Sequence, residues 1–481
     1  MSNLAEPCHG KNGKDFFPQN IRNLDKDLSR HFLDILVTDR NLTRKVVSFQ
    51  ANKTRPQYRW YKYKEAFSAE LVEYLLDKHG IRRGTVFDPF AGAGTALFAS
   101  SALGLDADGV ELLPVGQKII EARLFAINGA GKKHLERMQW WIDNKPWETG
   151  KTSREFSVLR ITKGAYPEET EIFLKKYLAC LEPEEKGVSS ILLFALLCVL
   201  ESISYTRKDG QYLRWDHRSG RKGFGKKIFN KGDIASFSRA ICGKIEEIVL
   251  DLREKDKRSS LFPAPGGNRP NGKITLLKGS CLEIIPTLQS RSYSAIITSP
   301  PYCNRYDYTR TYALEHAILG ISETENLNLR QSMISCTVEN REKELLSINP
   351  LWSKPLAICD SLPLLSGILS YLDSMKKNKA LNNNGIPRMV RGYFYEMACI
   401  IQECFRVLKE GGYMFMVNDN VRYAGASISV DFILSKIAED TGFSVEKILS
   451  LPQTKGNSSQ QMGAHGKDAL RKCVYVWRKG H

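Results

Sequence analysis

The sequence predicts an α/β fold, a doubly wound parallel sheet carrying large, mainly helical insertions. Three observations carry this reading. Two short apolar runs, Val86-Phe87 and Ser294-Ala295-Ile296-Ile297, have strand character and end abruptly in loops rich in Gly or Pro. Residues 87–124 follow the order strand, loop, helix, strand, helix, as in one half of a doubly wound sheet. Residues 389–481 return to the same alternation after long stretches that do not share it.

Taken in order, residues 1–57 form a polar, basic arm with a helix expected around residues 31–37. Residues 58–124 begin the core. Arg59-Trp60-Tyr61-Lys62-Tyr63-Lys64-Glu65-Ala66-Phe67-Ser68 leads into an amphipathic helix at 69–78. Asp88-Pro89-Phe90-Ala91-Gly92-Ala93-Gly94-Thr95 then opens a helix at 96–103. Gly92 and Gly94 let the backbone approach a ligand, and Asp88 adds a carboxylate beside them. Asp108-Gly109-Val110-Glu111 ends the next strand in an acid placed to take ribose hydroxyls. The glycine spacing is not that of a dinucleotide-binding loop, which argues against a pyrophosphate ligand.

Residues 125–272 interrupt the core with helices expected at 168–181, 189–202 and 234–253, and close in a Pro/Gly loop at 262–267 read as a linker. Residues 273–321 resume it, with a strand ending at Lys278-Gly279-Ser280 and a helix at 312–319. A second insertion, 322–388, reads as polar and irregular. Residues 389–481 supply a helix at 394–408, a strand at 413–417, a helix at 428–439, and final strands at 443–450 and 473–477. Between those strands lie a polar loop at 454–461 and His465, read as a loop histidine.

Lys and Arg outnumber Asp and Glu by 70 to 53 in a chain of 481 residues, a net charge of +17. That balance suits a polyanionic partner. The segment Tyr205-Thr206-Arg207-Lys208-Asp209-Gly210-Gln211-Tyr212-Leu213-Arg214-Trp215, continuing through Arg221 and Lys222, interleaves cations with aromatics. Arg207, Lys208, Arg214, Trp215, Arg221 and Lys222 are therefore candidates for phosphate and base contacts, against the plainer reading of a solvated basic loop. Eleven cysteines without a CxxC pair read as free thiols of a reducing cytoplasm, not as a disulfide or zinc framework. No signal peptide is read at the start, and the longest apolar run, 191–200, is too short to span a bilayer and reads as a buried helix.

The turn Thr298-Ser299-Pro300-Pro301-Tyr302 presents a hydroxyl, carbonyls and an aromatic ring at the end of a strand. Such a set suits holding a flat base by its exocyclic amine. Together with Asp88-Pro89-Phe90 and the Gly92, Gly94, Thr95 series, it resembles the S-adenosylmethionine-dependent DNA amino-methyltransferases. The resemblance covers about half the chain. It implies a seven-stranded, Rossmann-like methyltransferase sheet ending in an antiparallel pair, with S-adenosylmethionine as cofactor and no metal. It assigns the cofactor to Asp88, Pro89, Phe90, Gly92, Gly94, Thr95 and Glu111, with Phe67 and Ser68 closing over it and Ser280 near its adenine. The family usually has an acid where Ser280 stands. Catalysis falls to Ser299, Pro300, Pro301 and Tyr302, with Tyr302 stacking on a flipped base. Ser299 at the first position favours cytosine N4 and leaves adenine N6 as the alternative; RNA methylation or a non-catalytic DNA-binding role are the remaining readings. The implied partners are double-stranded DNA, contacted through 125–272, and a companion restriction endonuclease where the chain is a modification enzyme.

Overall fold

Period-two alternation builds the central sheet. Phe87, Ile296, Met414, Met416 and Tyr475 project into one apolar core, while Val86, Ala295, Ile297, Phe415, Val417 and Val474 project into the other. The computed structural model describes residues 19–209, 212–221, 228–261, 271–452 and 470–480. Its strands are β1 (Leu36–Thr38), β2 (Thr85–Asp88), β3 (Asp106–Glu111), β4 (Thr206–Asp209), β5 (Tyr212–Trp215), β6 (Ile274–Lys278), β7 (Tyr293–Thr298), β8 (Leu408–Asp419), β9 (Val421–Tyr423), β10 (Ala426–Ile428), β11 (Phe443–Ser450) and β12 (Lys472–Lys479).

Eight of these form one sheet in the order β1-β11-β12-β8-β7-β2-β3-β6. All neighbours are parallel except β12, which runs antiparallel to both β11 and β8. Seven strands were expected. The eighth, β1, comes from the N-terminal arm and pairs with β11 through Leu36↔Ile448. The arm's helix is Gln19–His31, earlier in the chain than expected, and the β-branched pair Val37-Thr38 extends instead of coiling.

Strand order reverses between β2 and β7, so the crevice beyond their carboxyl ends is where ligands bind in such sheets. Both singled-out loops leave from those two ends. One face of the sheet is covered by the helices Ala69–Lys78 and Thr95–Ala102. The other is covered by Ile386–Val407 and Val430–Thr441.

The first insertion folds around its own core. The helices Lys132–Asn144, Glu168–Leu181, Lys186–Ile203 and Phe237–Leu261 pack about Trp141, Trp147 and Tyr177. Each buried indole N–H is satisfied, Trp141 by Glu184 at 2.8 Å and Trp147 by Ser238 at 3.0 Å. The helix Lys186–Ile203 has the length and composition of a membrane span, yet Ile191, Leu192, Leu196 and Leu200 are buried in this core. The second insertion is more regular than expected: it holds the helices Glu323–Ser332, Ser353–Ser361 and Pro363–Lys377. Leu364, Leu365, Ile368, Leu369 and Leu372 give the last of these a buried stripe that the surrounding Lys and Asn residues obscure in the sequence. The loops at 262–267 and 454–461, His465 and Lys222 lie outside the described residues.

Candidate active site

Asp88, at the end of β2, ties the two loops together. Its Oδ1 accepts from the backbone N–H of Phe90 at 3.0 Å and from Thr298 Oγ1, at the end of β7, at 2.7 Å. Gly92 has φ +56°, and a Cβ there would stand 3.1 Å from the Tyr63 ring. Gly94 has φ +77° and serves as the N-cap of the helix Thr95–Ala102. Glu111, at the end of β3, holds this loop from the other side: Oε2 accepts from Gly92 N–H at 2.6 Å and Oε1 from Leu113 N–H at 2.7 Å. Burial pushes the Glu111 carboxyl up to about 8 against those two bonds, and the Asp88 carboxyl up to about 7 against its bonds from Thr298 and Phe90.

These residues open onto one cleft. Phe67, Asp88, Pro89, Phe90, Gly92, Thr95, Glu111, Ser280, Ser299 and Pro301 line it, joined by Tyr63, Glu65, Tyr308 and Met333. One cleft thus brings together the end of β2, the end of β3, the loop after β6 and the turn after β7. Its chemistry fits a nucleoside bearing a positive charge: apolar walls from Phe67, Phe90 and Val110, a hydroxyl at Ser280, and two carboxyls whose ionisation a cation would favour. Two expected residues lie elsewhere. Ser68 is buried as the N-cap of Ala69–Lys78, its Oγ accepting from Leu71 N–H at 3.2 Å and donating to the Val46 carbonyl at 2.5 Å, so its role is to cap a helix. Gly94 shapes the turn without lining the cleft.

No family model matches the chain. The type II methyltransferase M.AvaI of Nostoc sp. is 54% identical over 478 residues, spanning 99% of this chain and 97% of that protein. The type II methyltransferase M.BsoBI of Geobacillus stearothermophilus is 38% identical over 477 residues, spanning 94% of this chain and 91% of that protein. The chain belongs to the S-adenosylmethionine-dependent DNA methyltransferases. A more distant relative, the type II methyltransferase M.MjaII of Methanocaldococcus jannaschii, is 25% identical over 152 residues, 27% of this chain and 29% of that protein.

In this methyltransferase two members of the Ser-Pro-Pro-Tyr turn depart from expectation: Pro300 is buried and does not line the cleft, and Tyr302 faces away from it. Ser299 and Pro301 line the cleft, but the Tyr302 ring does not and is 1% exposed. Its hydroxyl is 3.0 Å from Ser299 Oγ, which also lies 3.3 Å from the Val417 carbonyl. Lys472 Nζ donates to the same phenol oxygen at 3.3 Å and sits 5.1 Å from the ring centroid. Here Tyr302 braces Ser299, and Tyr308 lines the cleft together with Tyr63, Phe67 and Phe90. Lys472 carried no signal in the linear sequence. It reaches the turn because β12 is antiparallel, so its first residues stand opposite Asp419 at the carboxyl end of β8. Arg123 was also missed: buried over the Phe98 ring, it donates to the Ala93 carbonyl at 2.8 Å from beneath the glycine loop.

The basic segment folds into the hairpin β4-β5, which sorts its cations by face. Arg207 and Arg214 are directly paired across the strands and exposed, both stacked on the Phe229 ring. Lys208 points the other way. It is buried in an ion pair with Glu315, over the Tyr312 ring, which removes it from the phosphate-contacting set. Arg221 packs on Trp215 and donates to the Lys163 carbonyl at 2.6 Å, so both side chains are engaged within the fold.

Proposed function

We propose that the enzyme transfers a methyl group to N4 of a cytosine flipped out of double-stranded DNA at a specific site. The observation that carries this is the placement of the neutral Ser299 hydroxyl in the same cleft as Glu111 and Asp88. When bound, S-adenosylmethionine supplies the electrophilic methyl group on its sulfonium. Phe67, Asp88, Pro89, Phe90, Gly92, Thr95, Glu111 and Ser280 hold it, with Glu111 taking the ribose hydroxyls. Ser299 Oγ and the Pro300 carbonyl accept the two amine hydrogens of the target base and turn the nitrogen lone pair toward the methyl. Tyr308 packs against the ring, and Pro301 closes the wall. Positioning supplies most of the rate, and the proton leaves after transfer, so no strong base is required.

Arg207 and Arg214 contact the phosphate backbone, and the insertion 125–272 contributes target recognition, with 322–388 as a second wall over the DNA. The chain acts in the cytoplasm as the modification half of a restriction-modification system, beside a companion endonuclease; full-length similarity to two type II methyltransferases supports this setting. Adenine N6 is the second reading, and the hydroxyl at Ser299 weighs against it. Tritium transfer from labelled S-adenosylmethionine to duplex DNA, RNA and protein, run in parallel, tests the substrate class. Label in duplex DNA is expected; label confined to RNA or protein would overturn the proposal.

A further inference from the structure

We infer that Lys472 is a positioning residue for methyl transfer, holding Ser299 in its amine-accepting orientation through the Tyr302 hydroxyl; this rests on the reading of the Ser-Pro-Pro-Tyr turn given above. Three strand ends converge at this point. Ser299 follows β7, Val417 and Asp419 end β8, and Lys472 begins β12, which reaches the same edge only because it runs the opposite way. The side chains form a directed chain. Lys472 Nζ has only hydrogens to offer, so it donates to Tyr302 Oη at 3.3 Å. Tyr302 Oη also accepts from Ser299 Oγ, at 3.0 Å. The Val417 carbonyl, 3.3 Å from Ser299 Oγ, is a second acceptor for the same hydrogen. In that arrangement the Ser299 hydrogen is committed to Tyr302 Oη and the Val417 carbonyl, away from the target base. The lone pairs of Oγ are left for an amine N–H, which is the orientation the reaction needs.

Lys472 is itself fixed from several sides. Asp419 Oδ1 lies 3.3 Å from Nζ, and the Lys472 side chain is 23% exposed. Burial pulls its ammonium group toward neutrality, but the Asp419 and Glu65 carboxylates and the bond to the Tyr302 hydroxyl outweigh that and keep it protonated. The cation is therefore a permanent donor over the working pH range. It also caps the Tyr302 ring, and this keeps the phenol turned away from the cleft.

The test is a double-mutant cycle on the full-length enzyme with S-adenosylmethionine and duplex DNA. Lys472→Met should lower kcat about tenfold, the worth of one hydrogen bond made in the transition state. Cofactor Kd and melting temperature should stay near wild type, and Lys472→Arg should restore part of the rate. Tyr302→Phe should give a similar loss. The double variant should be no slower than the worse single variant, because both substitutions break one chain. Multiplying losses, or a wild-type kcat for Lys472→Met, would overturn the inference. A readout that needs no methyl transfer separates this from failure of the functional reading. A crystal structure of Lys472→Met should show Tyr302 rotated and its bond to Ser299 Oγ broken. An intact Tyr302–Ser299 bond in that variant would overturn the positioning role even if the wild-type enzyme methylates DNA. A broken bond alongside a wild-type enzyme inert on DNA would keep the link and discard the reading it serves.

Discussion

Replacing Glu111 by Gln tests the cofactor site at its most constrained point. Each carboxyl oxygen accepts one backbone N–H, from Gly92 at 2.6 Å and Leu113 at 2.7 Å. Glutamine is isosteric but offers one acceptor oxygen only, so its NH₂ group must face one of those donors. A buried donor left unmatched costs about 1–3 kcal/mol of stability with or without ligand, and the weakened hold on the ribose hydroxyls is the part that reaches affinity. By calorimetry the Kd for S-adenosylmethionine should rise about 10- to 100-fold. The pH dependence gives a second signature. Burial places the Glu111 carboxyl at about 8, so below that pH the free protein holds a proton that must leave before the carboxylate binds fully. Affinity should therefore increase from pH 6.5 to 9, on the order of tenfold, and Glu111→Gln should flatten much of the increase. The sign for folding is opposite. With the native group raised from 4.5 to about 8, the native state binds the extra proton, and ligand-free stability falls as pH rises through that window. An unchanged Kd in Glu111→Gln, with the wild-type pH slope retained, would refute the assignment.

Gly92→Val should abolish cofactor binding, because φ +56° and a Cβ 3.1 Å from Tyr63 leave no room for a branched side chain; calorimetry reads the loss. Arg207→Ala combined with Arg214→Ala should weaken duplex binding and reduce the slope of log K against log salt by roughly 1–2, as expected for two lost phosphate contacts. Lys208→Met should behave differently from that pair. It strands the Glu315 carboxylate, 1% exposed, and should cost about 3–5 kcal/mol of stability in denaturant melts.

Much of this molecule was legible because the signals were local. The turns after β2 and β7 carry chemistry in consecutive residues, and apolar strands before them fixed their place in the sheet. The helix Glu168–Leu181 and the strand Phe443–Ser450 fall at their expected bounds for the same reason. What was hidden depends on contacts distant in sequence. The eighth strand exists only because β11 offers it an edge, 412 residues from Leu36 to Ile448. Lys208 sits in a run of cations, and only the pleat of the hairpin turns it inward beside Glu315 while Arg207 and Arg214 stay out. Ser68 resembles a cofactor contact by position, yet its hydroxyl is spent on a helix end. Tyr302 was expected to stack on a base, and its buried hydroxyl instead meets Lys472, 170 residues further along the chain. The helices of 322–388 escaped notice because their apolar stripe is diluted by exposed polar residues.

Transfer to cytosine N4, as proposed for this cleft, is best tested on the product. DNA from cells expressing the enzyme, digested to nucleosides and separated by liquid chromatography with mass spectrometry, resolves N4-methylcytosine from N6-methyladenine and 5-methylcytosine. N4-methylcytosine is expected in the wild type and its loss in Ser299→Ala, with cofactor affinity little changed in that variant. N6-methyladenine as the product, or N4-methylcytosine at wild-type levels with Ser299→Ala, would contradict it.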